Sequence, residues 1–161
     1  MKKLLAFVFI CAGIVAAEIP NPNGKWDVSI SKDELTDNKT VFLSLIASSG
    51  LGKYGDPVYL IIRCQNNKTE MFINWQTFLG LEFIEVIDRV DDKKAETSYW
   101  DISTDKKASF RRSPLPQIKK MLDSKKYVAQ VTPYSENPIT AVFETEGLNN
   151  AIKELRDTCN W

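Results

Sequence analysis

Residues 147–161 read GLNNAIKELRDTCNW, and the apolar positions within them decide how the chain is built. Leu148, Ile152, Leu155 and Cys159 fall at i, i+4, i+7 and i+11, one continuous stripe on one side of a helix. A helix with a single apolar side has to bury it against another element, and Cys159 lies on the side that is buried. Its natural partner is Cys64, which closes the β-branched and aromatic run VYLIIRC at residues 58–64, a strand by composition. The reading therefore predicts a Cys64–Cys159 disulfide that staples a C-terminal helix to a sheet strand, with Trp161 covering the edge of the junction. Closing a loop of about 95 residues contributes roughly 4–5 kcal/mol in the chain-entropy account. The alternatives are two buried free thiols or a metal pair. The second is poorly served, because two thiolates do not complete a tetrahedral site and the chain has no histidine.

A disulfide requires an oxidising compartment, and the N-terminus agrees. Lys2 and Lys3 precede an apolar run over residues 4–12, and Val15 and Ala17 suit the −3 and −1 positions of a cleavage site before Glu18. The run is shorter than the roughly 20 residues of a membrane span. Ile10 stands before Cys11 where lipidation needs a small residue. The expectation is a signal peptide at residues 1–17, then one disulfide-stapled domain at residues 18–161, periplasmic or secreted, with no membrane span after cleavage. Losing Lys2 and Lys3 from 21 basic residues against 21 acidic ones leaves a net charge of about −2, with no basic stripe, which argues against nucleic acid as a partner.

Between the termini the pattern is one of short strands and polar turns, with no βαβ units. Strands are expected at residues 26–31, 40–47, 58–64, 69–74, 82–90, 95–102, 108–112, 127–132 and 139–144. In residues 82–90, Phe83, Glu85, Ile87 and Arg89 share one face, and Ile84, Val86, Asp88 and Val90 the other. Phe42 and Ile46 on the second face of residues 40–47 suggest a strand covered on both sides. SSGLGKYGDP at residues 48–57 reads as a hairpin connection, since the spacing and terminal Lys-Ser/Thr of a phosphate-binding loop are missing. Ser113 before Pro114 marks the start of a short helix near residues 115–124, with Ile118, Met121 and Leu122 as its apolar stripe. The fold class is mainly β (α+β), with antiparallel sheets forming a sandwich or a curled meander and the C-terminal helix packed on the sheet.

These pieces together resemble the VasI/TagO-like proteins, exported accessory proteins of type VI secretion systems with relatives in prophages. The resemblance is carried by Arg63-Cys64, by Val86-x-x-Arg89-Val-Asp91, by Trp100-x-x-Ser103-x-Asp105, and above all by Gly147-Leu148, Leu155-Arg156 and Cys159-x-Trp161. It departs from the pattern at Asn38 and Gln76, where Asp and Gly are usual.

No catalytic machinery is legible. Without histidine there is no Ser-His-Asp or Cys-His arrangement, and bonded cysteines leave no thiol nucleophile. Carboxylate pairs such as Asp88 with Asp101, or Glu82 with Glu85, remain for a hydrolase. The candidate binding surface is Arg63, Arg89, Trp75 and Trp100, types enriched at interfaces. Each arginine has an alternative role as the internal partner of Asp88, Asp101 or Asp105. The expected function is a non-enzymatic interaction with a protein partner in the cell envelope, without cofactor or metal. The competing expectations are a prophage-encoded inhibitor or exclusion protein and a carboxylate-dependent envelope hydrolase.

Overall fold

The computed structural model describes residues 21–161, so the expected signal peptide lies outside the described residues. The strands are β1 (Asp27–Lys32), β2 (Lys39–Leu51), β3 (Pro57–Gln65), β4 (Lys68–Asn74), β5 (Phe83–Val90), β6 (Glu96–Ile102), β7 (Ala108–Arg111), β8 (Lys126–Val131) and β9 (Ile139–Glu144). Helix α1 (Pro114–Met121) precedes β8, and α2 (Leu148–Ala151) and α3 (Lys153–Cys159) end the chain. Every strand pairing is antiparallel, in the order β1-β2-β3-β4-β7-β6-β5-β8-β9. β9 returns to β2 through Ser49 opposite Val142, which closes β2–β9 into a barrel of eight strands and leaves β1 as an appendage.

Closure depends on a segment that the sequence presents as a loop. Residues 48–51 continue β2 instead, after a register shift between Ile46 and Leu51. The first half of β2 pairs with β1 and β3, and the second half turns to meet β9. Gly50 makes that meeting possible. Its φ is +101°, and a Cβ there would stand 2.4 Å from the Thr140 carbonyl oxygen. No side chain fits, so the glycine that signals a loop in sequence is the seam of the barrel. The connection proper is confined to residues 52–56.

The core fills the barrel from wall to wall. Leu43 and Leu45 of β2, Leu60 and Ile62 of β3, Met71 and Ile73 of β4, Trp100 of β6, Tyr127 of β8 and Phe143 of β9 are all buried. Strand β5 alternates as expected, with Ile84, Val86, Asp88 and Val90 inward and Phe83, Glu85, Ile87 and Arg89 outward. The face carrying Phe42 and Ile46 is only partly covered, because it lies outside a closed barrel and has no second layer above it.

The helices cover one end of the barrel. Ile118 and Met121 of α1, Leu148 of α2, Ile152, and Leu155 of α3 are buried against the strands. The predicted single helix over 148–159 is two short ones with a turn at Ile152, whose ψ relaxes to −6°. Hydrogen bonds of 2.9 Å from Ile152 N–H to the Leu148 carbonyl and 3.0 Å from Arg156 N–H to the Ile152 carbonyl span the turn, so the stripe survives. Pro114 opens α1 as expected, but Ser113 makes no side-chain cap. Cys64 and Cys159 are bonded, with their Cα atoms 5.9 Å apart. Trp161 closes over this junction by donating to Thr69 Oγ1 at 2.9 Å and by packing under the Arg156 guanidinium, 5.2 Å from its ring centroid.

Candidate functional site

Side chains of β2, β3, β4 and β7 that point away from the barrel interior form a second apolar cluster. Ile61, Phe72 and Ala108 are its buried centre, and Phe42, Tyr59 and Phe110 pack around them half-exposed. Strand register builds it. Ile61 sits opposite Phe72, Phe72 opposite Phe110, and the last two rings stack with centroids 4.4 Å apart. Antiparallel neighbours on one face bring aromatic pairs together in this way, each adding about 0.5–1.5 kcal/mol beyond burial. The apolar surface continues in both directions. Ile46, 55% exposed, lies opposite Tyr59, and Phe83 and Tyr99, both 54% exposed, meet edge to face beyond Asp101.

Arg63 borders this cluster. It lies opposite Glu70 across β3 and β4, and its Nε donates to Glu70 Oε2 at 3.0 Å, with Nη2 bound to the same oxygen. Its guanidinium carbon stands 5.5 Å from the centroid of the Phe72 ring, a cation–π contact. Partial burial pushes the Glu70 carboxyl up, but the hydrogen bonds from Arg63 and Lys68 together outweigh it and hold the group below its ordinary value. Arg63 is therefore paired and still part of an aromatic surface, and its partner is Glu70, not an aspartate.

The other three candidates are dispersed. Trp75 and Trp100 are fully buried, which corrects their assignment to a binding surface. Trp75 donates to Ser109 Oγ at 2.9 Å and plugs the end of the barrel opposite the helices, and Trp100 donates to Ser98 Oγ at 3.0 Å. A large ring with one N–H is suited to a closed barrel that offers a hydroxyl at the right place. Arg89 is exposed and forms no ion pair among the described residues. Asp88 is instead paired with Arg111, Asp101 with Arg112, and Asp105 shapes its own turn by accepting from Lys107 N–H at 3.2 Å.

The carboxylate pairs expected of a hydrolase do not converge. Asp88 points into the barrel, whereas Asp101 lies on its exterior, bound twice by Arg112 at 2.9 and 2.7 Å. Glu82 and Glu85 are both exposed, and Glu85 lies on the outer face of β5. Among the described residues no group of three or more His, Cys, Asp or Glu is placed to hold a metal ion, and no helix is long and apolar enough to cross a membrane.

The outward cluster was missed because alternation reveals that a strand has two faces without showing which one lies inside. The available signal was β3 itself, apolar on both faces, with Val58, Leu60, Ile62 and Cys64 on one and Tyr59 and Ile61 on the other.

Among solved structures, the crystal structure of invasion associated protein B from Bartonella henselae has a similar fold. Its TM-score is 0.59 at 13% sequence identity, covering 86% of this chain and 95% of that one. No curated protein matches the sequence. The family model described as type VI secretion system VasI, EvfG, VC_A0118 matches residues 16–161, a span that takes in every strand, the disulfide and the terminal tryptophan. The chain belongs to that VasI family of type VI secretion system proteins.

Proposed function

We propose that this protein is an exported, non-enzymatic accessory protein that docks a protein of the cell envelope on the outer aromatic face of β2, β3, β4 and β7. The observation that carries the reading is the face itself. The outside of a barrel in water is ordinarily polar, and a contiguous apolar patch there marks an interaction site. In this one the partly exposed Phe42, Tyr59 and Phe110, seated on buried Ile61 and Phe72, join Arg63 and the exposed Ile46, the mixture of aromatic rings and arginine that dominates binding energy at interfaces. The family supports a place in the envelope, and the disulfide supports an oxidising one.

The test is a pull-down from the periplasmic fraction with the tagged chain, wild type against Tyr59→Ser/Phe110→Ser. Both positions are partly buried on the outer face and lie outside the main core, so the double variant is expected to remain folded. The proposal expects an envelope protein to be enriched by the wild type and lost from the variant, while the variant still unfolds in one cooperative transition. Equal recovery of every envelope protein by both forms, or recovery of the chain in the cytoplasm with reduced thiols, refutes it.

A further inference from the structure

The helix-covered end of the barrel holds an acid that the fold leaves half used. Asp88 Oδ2 accepts from Arg111 Nη1 at 2.8 Å and from the Tyr127 hydroxyl at 2.7 Å. Its Oδ1 is buried and has no hydrogen-bond partner among the described residues. A buried acceptor without a donor is uncommon and calls for a cause.

The same aspartate lines a pocket of about 140 Å³ beside α1. Asp88, Val90 and Gln117 are its buried floor, and Lys93, Lys94, Glu96 and Lys120 its exposed rim, with Arg89 bordering it from β5 while its side chain lies on the outer face. Gln117 is 3% exposed as a residue, and its amide makes no hydrogen bond among the described residues but, unlike Asp88 Oδ1, is not fully enclosed. A second polar group is thus set into the floor and left open there.

The charges divide unevenly. Asp88 is matched by Arg111 and Glu96 by Lys120. Lys93 and Lys94 form no ion pair among the described residues, so the rim carries a surplus of two cations over a floor that is neutral in sum. A bare anion pushed to the floor meets Asp88. An ammonium ion meets the cationic rim. A neutral alcohol satisfies the floor and leaves the rim unmatched. A ligand with an anionic end and a hydroxyl end matches both. The volume equals that of about four or five waters and is well short of the roughly 300 Å³ or more of a drug-sized site. The ligand, or the part of it that enters, is therefore short.

We propose that this pocket binds a short hydroxylated oxyanion, the carboxylate or phosphate monoester of a two- or three-carbon alcohol, with its oxyanion at Lys93 and Lys94 and its hydroxyl on the Gln117 amide and Asp88 Oδ1. The carboxylate and phosphate forms share this chemistry, and titration separates them. Glycerate and glycerol 3-phosphate are added to the isotopically labelled purified chain, with acetate and glycerol as single-function controls, and amide shifts are followed by NMR. At least one of the two bifunctional ligands should saturate with shifts at Gln117, Lys93 and Lys94, and with a dissociation constant at least tenfold below both controls. The tighter of the two identifies the anion. Lys93→Ala/Lys94→Ala, on the exposed rim, should weaken it about tenfold without moving the melting temperature. Gln117→Met, which keeps the side-chain length, should abolish the advantage over acetate. Absence of saturation by either ligand, equal affinity for acetate, or full affinity in the double lysine variant overturns the proposal and leaves a trapped water as the donor to Asp88.

Discussion

Replacing both Cys64 and Cys159 by alanine tests the element on which the architecture turns. The two sulfurs close a loop with a sequence separation of 95, and the chain-entropy relation puts the cost of leaving that loop open at about 4.7 kcal/mol. Both cysteines are buried, so trimming each to alanine adds a small packing loss, about 1 kcal/mol per site at most. The expected destabilisation is roughly 5–7 kcal/mol, a large part of the 5–15 kcal/mol of a domain this size. At about 3–5 °C per kcal/mol, the melting temperature should fall by some 15–35 °C. Urea unfolding of the purified variant against the oxidised wild type measures it, and the wild type in excess reductant provides a second reading without mutation. The mechanism also fixes a sign. Loss of the tether lets the unfolded chain expand, so the denaturant slope should rise as the midpoint falls. A change under 1 kcal/mol in both experiments would refute the idea that this bond holds the terminal helices on the barrel.

Gly50→Ala should destabilise by roughly 2 kcal/mol or more, because the new Cβ meets the Thr140 carbonyl at a positive φ, and thermal melts of the variant would show it. Asp88→Ala strips the buried partner from Arg111 and the acceptor from Tyr127, and a loss of about 3–5 kcal/mol in urea melts is expected. Burial raises the Asp88 carboxyl above its ordinary range, with Tyr127 and Arg111 only partly offsetting it. The folded state therefore holds the proton to higher pH than the unfolded chain does. The resulting stabilisation is complete below the unfolded value near 4 and declines as pH rises through the folded one. Melting curves of wild type and Asp88→Asn from pH 3 upward should diverge in that sense, with the wild type gaining relative to the variant at the acid end. Glu70, held low by Arg63 and Lys68, contributes in the opposite sense, and Glu70→Gln should lose less stability than wild type as pH falls.

The elements were legible where a local period decides them. Residues 82–90 gave a strand with its two faces correctly divided, though not which of them lies inside, and Leu148, Ile152, Leu155 and Cys159 placed the terminal stripe and its disulfide. Closure was not legible, since it depends on a long-range meeting of Ser49 with Val142 that no local pattern encodes. Its one trace, Gly50, carries the same signature as a flexible turn. The partner of Asp88 was not legible for a related reason. Arg111, in a short strand whose neighbours Phe110 and Arg112 point outward, is the residue that reaches Asp88, and only the register of β7 against β6 turns it inward.

That register also explains why the outer face is the better site for a partner. A strand covered on both sides needs apolar residues on both, and β3 meets that description as if it lay in the middle of a layered protein. The barrel gives it only one layer. Closure uses Leu60 and Ile62 on the inside, and the terminal helices cover an end of the barrel, not its wall. Tyr59 and Ile61 therefore have no structural layer of this chain above them, and Phe42, Phe72 and Phe110 gather around them sideways. Tyr59→Ser/Phe110→Ser removes partly buried surface and the stacking on Phe72 and should cost about 1–2 kcal/mol of stability, because the main core is untouched. If the face served only to stabilise the monomer, the same variant would lose several kcal/mol and retain its partner. Urea unfolding and the periplasmic pull-down performed on one preparation separate the two, since one role moves the midpoint and the other moves the captured protein.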